Sequence, residues 1–131
     1  MYTLALRPAL FSLDAERAHD LTMAALRQPV VRRALRLARP SSIDSRLRQA
    51  VLGQTFEHPL GLAAGLDKQG TAAAAWSAIG FSFAEIGTVT PRPQSGNPRP
   101  RLFRLRQDAA IINRFGVNSV GAAGVARHLS A

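Results

Sequence analysis

The fold of this chain is decided by the stretch Leu60-Gly61-Leu62-Ala63-Ala64-Gly65-Leu66-Asp67-Lys68. It follows a proline and begins as a short run of apolar and small residues, which predicts a buried strand over residues 60–64. It ends in a glycine, an acid and a base, so a charged loop over residues 65–68 should follow the strand. In sheets of parallel strands, side chains at this end of a strand carry the chemistry.

Lys68 is the only lysine of the chain, whereas the other 16 basic residues are arginines. Arginine is a rigid planar fork and lysine a compact, flexible point charge, so the two differ most in a tight site. Two interpretations stay open. Lys68 is either a functional ammonium group or a single lysine left by chance in an arginine-rich composition.

The composition sets limits on the class of protein. The 131 residues allow one domain, and 47% hydrophobic residues indicate a globular chain. The chain has no cysteine, which excludes disulfides and thiolate metal sites, and its three histidines lack ligand spacing, so we expect no metal. No run is long enough to span a bilayer, and Arg7 and Pro8 interrupt the first apolar stretch, so no signal peptide is predicted.

The net charge of +9 is distributed unevenly along the chain. Residues 1–50 hold nine arginines against four acids, residues 51–100 are neutral, and residues 101–131 hold five arginines against one aspartate. Basic segments on either side of a neutral middle predict a surface that meets anions, either nucleic acid, a phosphate-bearing ligand or an anionic membrane.

Residues 1–39 predict three short helices, over residues 1–13, 15–27 and 30–38, with Asp14 as the N-cap of the second. The apolar side of the second helix is expected to comprise Leu21, Met23, Ala24 and Ala25. The third helix is rich in arginine. Two interpretations compete: a peripheral membrane patch with arginines at the headgroups, or helices packed on their own domain with the arginines solvated.

The remainder predicts alternating strands and helices. After a linker over residues 41–49 and a small hairpin over 50–57, a helix over 69–79 with Trp76 and Ile79 facing the core should join the strand at 60–64 to a second strand at 81–88. A right-handed crossover makes these strands parallel, so the loops that follow them open at one edge. An irregular loop over 91–100, a hairpin of 101–105 with 109–113, and a helix over 120–129 capped by Ser119 complete the prediction.

Five blocks, in order and at the family's spacing, resemble the dihydroorotate dehydrogenase family in its membrane-associated, quinone-using class. They are residues 13–19 (LDAERAH), 59–68 (PLGLAAGLDK), 85–94 (EIGTVTPRPQ), 98–105 (PRPRLFRL) and 112–116 (INRFG). The resemblance implies an α/β fold, the N-terminal part of a (β/α)8 TIM barrel preceded by a small helical domain. Residues 1–40 would be the helical membrane and quinone-tunnel domain, and residues 41–131 the first part of the barrel, with its bottom hairpin and first two βα units.

The function that the resemblance implies is oxidation of dihydroorotate to orotate in pyrimidine (UMP) biosynthesis, with FMN as cofactor and a membrane quinone as electron acceptor. The protein would lie peripherally on the bilayer surface at the cytoplasmic face of the cell membrane, and no nucleic acid partner is expected. The open alternative is a basic membrane-surface or nucleic-acid-binding module without catalysis.

The resemblance also implies roles for particular residues. Flavin contacts match Ala64, Gly65, Leu66, Asp67, Lys68 and Thr88; substrate contacts match Lys68, Asn113, Arg114, Phe115, Gly116 and Val117; the quinone tunnel matches His19 and Arg104. Lys68 would stabilise negative charge that develops on the flavin, and the Asn113 amide would offer a donor and an acceptor to a pyrimidine edge. Val117 stands where the family usually has phenylalanine, which would loosen one wall of the substrate pocket. His19 as an ordinary helix residue stays open.

Length is the main departure from the family. A (β/α)8 barrel needs roughly 250 residues, and this chain supplies two of its eight strands. The serine that acts as catalytic base in this class would lie beyond residue 131, so we expect no catalytic base in this chain. We therefore expect a fragment or truncated product, inactive by itself.

Overall fold

The computed structural model describes residues 2–39 and 42–130. The helical elements are a π-helical turn (Tyr2–Leu6), α1 (Arg7–Ser12), α2 (Ala15–Leu26), α3 (Pro29–Ala38), a 3-10 turn (Ser45–Leu47), α4 (Ala73–Ile79) and α5 (Ala122–Leu129). The strands are β1 (Gln49–Val51), β2 (Gln54–Phe56), β3 (Gly61–Leu62), β4 (Phe83–Ala84), β5 (Leu102–Leu105) and β6 (Ala110–Asn113). The predicted boundary between residues 40 and 41 and the terminal residues 1 and 131 lie outside the described residues.

The helices of the N-terminal segment form as predicted, but α2 buries a different face. Oδ1 of Asp14 accepts hydrogen bonds from the backbone N–H groups of the first turn of α2 at 3.0 Å, which confirms the cap. Leu21, Ala24 and Ala25 are exposed, so that part of the prediction is wrong. The buried residues of α2 are Ala15, Glu16, Ala18 and Met23. The reason is that α2 packs against β5, and the buried Arg101, just before β5, pairs with Glu16.

The strand–helix–strand unit is parallel, as predicted. Gly61 of β3 lies opposite Phe83 of β4, and Leu62 lies opposite Ala84. Regular pairing covers only two residues in each strand, fewer than predicted. On either side of it, the N–H of Ser82 donates to the carbonyl of Leu60 at 3.0 Å and the N–H of Glu85 donates to the carbonyl of Leu62 at 2.9 Å. Gly61 is needed here, since a Cβ atom at this position would lie 2.1 Å from the Phe83 ring.

Helix α4 begins at Ala73, four residues later than predicted. The preceding residues instead turn around the buried carboxylate of Asp67, which accepts from the N–H groups of Thr71 and Ala72. Trp76 is buried as expected, but Ile79 is 39% exposed, so its predicted place in the core is wrong. The core consists of Met23, Leu62, Ala72, Ala75 and Trp76. It therefore joins α2 to the parallel unit.

Both predicted hairpins are confirmed, β1 with β2 and β5 with β6, each antiparallel. Helix α5 starts later than predicted, because Gly121 and not Ser119 is its N-cap. Ser119 is buried instead, and its hydroxyl oxygen accepts from the N–H groups of Thr90 at 3.3 Å and Gly121 at 3.1 Å. This serine thus joins the loop after β4 to the start of α5.

The loop over residues 91–100 pairs with the segment after β6. Gln94 and Ser119 exchange two backbone hydrogen bonds of 2.9 Å, and the N–H of Asn97 donates to the carbonyl of Phe115 at 2.9 Å. The proline-rich loop therefore holds the segment 113–119 in place. Within the described residues, no helix has the length and apolar character that crossing a membrane would require.

Candidate active site

A cavity of about 800 Å³ lies between α2, the loop after β3 and the ends of β5 and β6. The predicted site residues that line it are His19, Gly65, Leu66, Asp67, Lys68, Arg104, Asn113 and Phe115. The predicted site residues that do not line it are Ala64, Thr88, Arg114, Gly116 and Val117. One cavity thus brings together residues to which the resemblance gives three different roles: flavin, substrate and quinone contact.

The loop after β3 is built around the buried carboxylate of Asp67, which is 1% exposed. Its oxygens accept from the backbone N–H groups of Thr71 at 2.8 Å and Ala72 at 2.9 Å, and from Nε1 of Trp76 at 3.0 Å. Both oxygens are thus committed inside the chain. The hydrogen bonds of Asp67 therefore fix the conformation of the loop. The charge that the loop presents to the cavity is that of Lys68.

The Lys68 ammonium is partly buried at the wall of the cavity. Nζ donates to Oδ1 of Asn118 at 3.1 Å and lies 4.8 Å from the centroid of the Phe115 ring. Burial and, after it, the positive charge of Arg101 lower the pKa of Lys68. A partly desolvated ammonium group attracts an anionic ligand more strongly than one in water does.

A buried ion pair joins α2 to the strand hairpin. Glu16 accepts hydrogen bonds from Nη2 of Arg101 at 2.8 Å and from Nε of Arg101 at 3.1 Å. Nη2 of Arg99 forms a second ion pair with Oε1 of Glu16, at 2.9 Å. Burial by itself raises the pKa of Glu16, but the hydrogen bonds and charges of Arg101 and Arg99 outweigh it, so the pKa is lowered. The pair therefore stabilises the fold above the ordinary pKa of a glutamate, and this stabilisation is lost as the pH falls through the lowered value.

The sequence did not identify this pair. Glu16 resembles an ordinary acidic residue in the first turn of a helix, and Arg101 is one of 16 arginines. The two are 85 positions apart in the chain. The block at residues 98–105 was the only signal, and it does not say which arginine is buried.

Arg104 lines the cavity and also holds the end of α1. Its guanidinium donates to the carbonyl groups of Leu13 at 2.7 Å and Leu10 at 3.3 Å, and lies 4.6 Å from the ring centroid of Phe11. A cation is favourable at carbonyl groups that end a helix. His19, half-buried on α2, lines the same cavity.

The segment after β6 turns through two consecutive left-handed residues, Gly116 with φ of 71° and Val117 with φ of 58°. A β-branched residue is rarely found in this region. The turn is held by Gln94, whose Nε2 donates to the Val117 carbonyl at 2.6 Å, and by Asn113, whose Oδ1 accepts from the N–H of Phe115 at 3.0 Å. The amide group of Asn113 is therefore the part of its side chain left to donate to a ligand.

The loops after β3 and β4 follow the same ends of two parallel strands. Gly65 has φ of 105°, and a Cβ atom there would meet no atom within 4 Å. Thr88, after β4, is exposed, and the Gly87–Thr88 peptide bond is cis.

Within residues 2–39 and 42–130, no three histidine or carboxylate side chains converge as metal ligands.

A parallel strand–helix–strand unit with a charged loop at the strand end, facing a cavity, defines an α/β fold. The sequence model of the dihydroorotate dehydrogenase family matches residues 46–131. The chain belongs to that family.

Named relatives agree with this assignment. The chain is 56% identical over 135 residues to dihydroorotate dehydrogenase (quinone) of Deinococcus deserti, and 55% identical over 129 residues to the protein of the same name from Acidithiobacillus ferrooxidans. These alignments cover 99% and 96% of this chain but 37% and 36% of the relatives. The chain thus spans about a third of the length of the curated relatives it matches.

Two solved structures are also similar. The ligand-free dihydroorotate dehydrogenase of Eimeria tenella matches with a TM-score of 0.69 and 44% identity, covering 88% of this chain and 31% of that protein. The complex of the Eimeria tenella enzyme with ferulenol matches with a TM-score of 0.68 and 44% identity, covering 87% of this chain and 29% of the other.

Proposed function

We propose that this chain forms the quinone-side helices and the first ligand-binding loops of an FMN-dependent dihydroorotate dehydrogenase. That enzyme would oxidise dihydroorotate to orotate in pyrimidine biosynthesis and pass the electrons to a membrane quinone. The observation that carries the proposal is the cavity whose lining includes Lys68 and Asn113 together with His19 and Arg104. An acceptor and a substrate that share one cofactor need such adjoining sites.

The fold of the whole enzyme is part of the proposal. The unit β3–α4–β4 and helix α5 would belong to the first two βα units of a (β/α)8 barrel, and residues 1–40 would form the helical domain in front of it. The parallel register of β3 and β4 supports this. So does the similarity to a solved family member at a TM-score of 0.69.

The residues at the strand ends fit FMN. The open space in front of Gly65 lets a planar ring approach the backbone, and the neighbouring Ala64 is small and exposed. Ala64, Gly65, Leu66, Lys68 and Thr88 would hold the cofactor, with Asp67 fixing the loop. When bound, FMN supplies the two-electron acceptor that links oxidation of dihydroorotate to reduction of a quinone.

The residues of this chain bind and orient the ligands. The Lys68 ammonium would stabilise negative charge at the site, and partial burial makes that interaction stronger than in water. The Asn113 amide would donate to a carbonyl of the pyrimidine ring, and the turn at residues 114–117 would close the pocket beside it. His19 and Arg104 would line the path of the quinone.

A chimera tests this proposal. Residues 1–131 are joined to the part of the Deinococcus deserti relative that follows its aligned region. We expect the chimera to bind FMN and to reduce a quinone analogue with dihydroorotate. We expect the 131-residue chain alone to show no turnover, because it spans about a third of the length of its relatives and the serine base of the family would lie outside it. A folded, flavin-loaded chimera without activity would contradict the proposal, as would turnover by the isolated chain.

We further propose that the helical segment lies on the cytoplasmic face of the cell membrane. Large apolar side chains are solvent-exposed on these short helices, Leu4 by 86%, Val30 by 74% and Leu37 by 82%. Residues 30–39 also hold four arginines. Apolar side chains beside basic ones are typical of a helix that rests at the headgroups of a bilayer.

Replacing Leu37 by glutamate should lower the partition coefficient of the chain onto anionic liposomes by about tenfold or more, because inserting one leucine contributes about 1.5–3 kcal/mol. Co-sedimentation at high salt measures this, since insertion of apolar side chains is not screened. The matched control is Leu52→Glu, at a residue 97% exposed in the β1–β2 turn, which should leave binding unchanged. Equal losses in both variants would contradict the proposed orientation.

A further inference from the structure

A row of four side chains connects α2 to the loop after β3. Oε1 of Glu16 lies 2.8 Å from Nη2 of Arg101, and the Arg101 guanidinium carbon lies 4.7 Å from the centroid of the Phe115 ring. Nζ of Lys68 lies 4.8 Å from that same centroid. The proposed reaction gives Lys68 and Phe115 a role but leaves Glu16 and Arg101 unexplained.

Arg101 is held rigidly within this row. It is 9% exposed, and Nη1 donates to the carbonyl groups of Ser95 at 2.7 Å and Asn97 at 3.1 Å, while Nε and Nη2 donate to Glu16. Glu16 is itself 5% exposed. A buried guanidinium without a carboxylate partner would be costly, so the position of Arg101 depends on Glu16.

We propose that Glu16 is a positioning residue for Lys68. Glu16 holds the Arg101 guanidinium, and Arg101 in turn holds the Phe115 ring. Arg101 and Phe115 together fix the position of the Lys68 ammonium group and its electrostatic attraction for a ligand. The inference rests on the proposed function only for the part that Lys68 plays in the reaction. The contacts themselves belong to this chain.

Several charged or titratable side chains share the cavity wall with Lys68. Helix α2 contributes Glu16, His19, Asp20 and Arg27, the segment leading into β5 contributes Arg99 and Arg101, and β5 itself contributes Arg104. The loop that carries Lys68 also contributes Asp67, whose carboxylate accepts hydrogen bonds from Ala72, the N-cap of α4, and from Trp76 of α4. Of these groups, Arg101 is the one whose charge lowers the pKa of Lys68, in addition to burial.

These charges determine the direction in which neutralising Glu16 shifts the pKa of Lys68. Arg101 disfavours a second positive charge at Lys68, and the negative charge of Glu16 offsets part of that repulsion. If Glu16 is made neutral, the repulsion is less compensated. Lys68 should then lose its proton at a lower pH than in the unchanged chain.

The single lysine makes the test direct. Reductive methylation of the full 131-residue chain with ¹³C-formaldehyde labels only Lys68 and the N-terminal amine, and a Lys68→Arg variant assigns the two NMR signals. The pH titration of the dimethyl-Lys68 signal gives its pKa. The upfield shift of that signal, caused by the Phe115 ring current, reports the distance between the two side chains.

Glu16→Gln should lower the pKa of Lys68 and reduce its ring-current shift. The matched control is Glu57→Gln, which neutralises a glutamate in an exposed pair with Arg48 and should change neither. A titration of Glu16→Gln that coincides with the control would overturn the proposal. Should Glu16→Gln unfold, the double variant Glu16→Gln/Arg101→Met removes both charges. Its Lys68 pKa should rise above that of the unchanged chain, and an unchanged value would overturn the proposal.

The readout requires neither flavin nor turnover, which separates this inference from the proposed reaction. An inactive chimera would leave a shifted Lys68 titration standing. An unchanged titration would overturn the positioning role of Glu16 and leave the reaction standing.

Discussion

Replacing Lys68 by methionine should lower kcat/KM of the chimera for dihydroorotate by about 100-fold to 1,000-fold, as loss of one preorganised group that stabilises developing charge does. Methionine keeps much of the length and apolar volume of the side chain and removes the ammonium group. The hydrogen bond to Asn118 is lost at the same time. Steady-state rates with a quinone analogue, at matched flavin content, measure the effect.

Two variants control for a general loss of charge. Lys68→Arg keeps the positive charge but places a planar fork in a partly buried position, so we expect a smaller but clear loss. Arg46→Met removes a cation from an exposed pair with Asp44, remote from the cavity wall, and should leave kcat/KM unchanged. Lys68→Met activity within threefold of the unchanged chimera would show that Lys68 is not part of the site.

The sequence predicted the features that depend on neighbours in the chain. The Asp14 cap and the two hairpins each rest on a few adjacent residues, and the structure confirms them. The parallel unit was also predicted correctly, because a helix that joins two neighbouring strands forms a crossover connection, which leaves the strands parallel.

The errors fall where a distant residue decides the outcome. The buried face of α2 carries Glu16 and not Leu21, because Arg101 lies on that side. Apolar periodicity cannot show this, since the partner is 85 positions away. Likewise, helix α4 starts late because the N–H of Ala72, which a helix beginning at Gln69 would bond to the carbonyl of Lys68, donates to the Asp67 carboxylate instead.

The candidate site divides in the same way. The motif that ends in Asp67-Lys68 indicated which loop bears the charge, and the structure places Lys68 at the cavity wall. The resemblance grouped Asp67 with the cofactor contacts; in the structure Asp67 lines the cavity, while its carboxylate is buried and hydrogen-bonded to Trp76 of α4. Two adjacent charged residues look equivalent in a sequence, and only the fold shows which one is buried.

Replacing Asp67 by alanine should lower the free energy of unfolding by about 3 kcal/mol or more, because the variant leaves several buried donors without an acceptor. These donors are the N–H groups of Thr71 and Ala72 and Nε1 of Trp76. Trp76 is the only tryptophan, so its fluorescence during urea unfolding reports on the region directly. Its emission in the folded variant should shift as Nε1 loses its partner.

Asp108→Ala is the matched control, since Asp108 is exposed in the turn between β5 and β6 and should change stability by less than about 0.5 kcal/mol. Asp67→Asn separates charge from shape. It keeps the volume and one acceptor oxygen but places an amide group against N–H donors, so its loss should approach that of alanine. If Asp67→Asn were as stable as the unchanged chain, the carboxylate would not be what holds the loop, and the position of Lys68 would depend on its own contacts with Asn118 and Phe115.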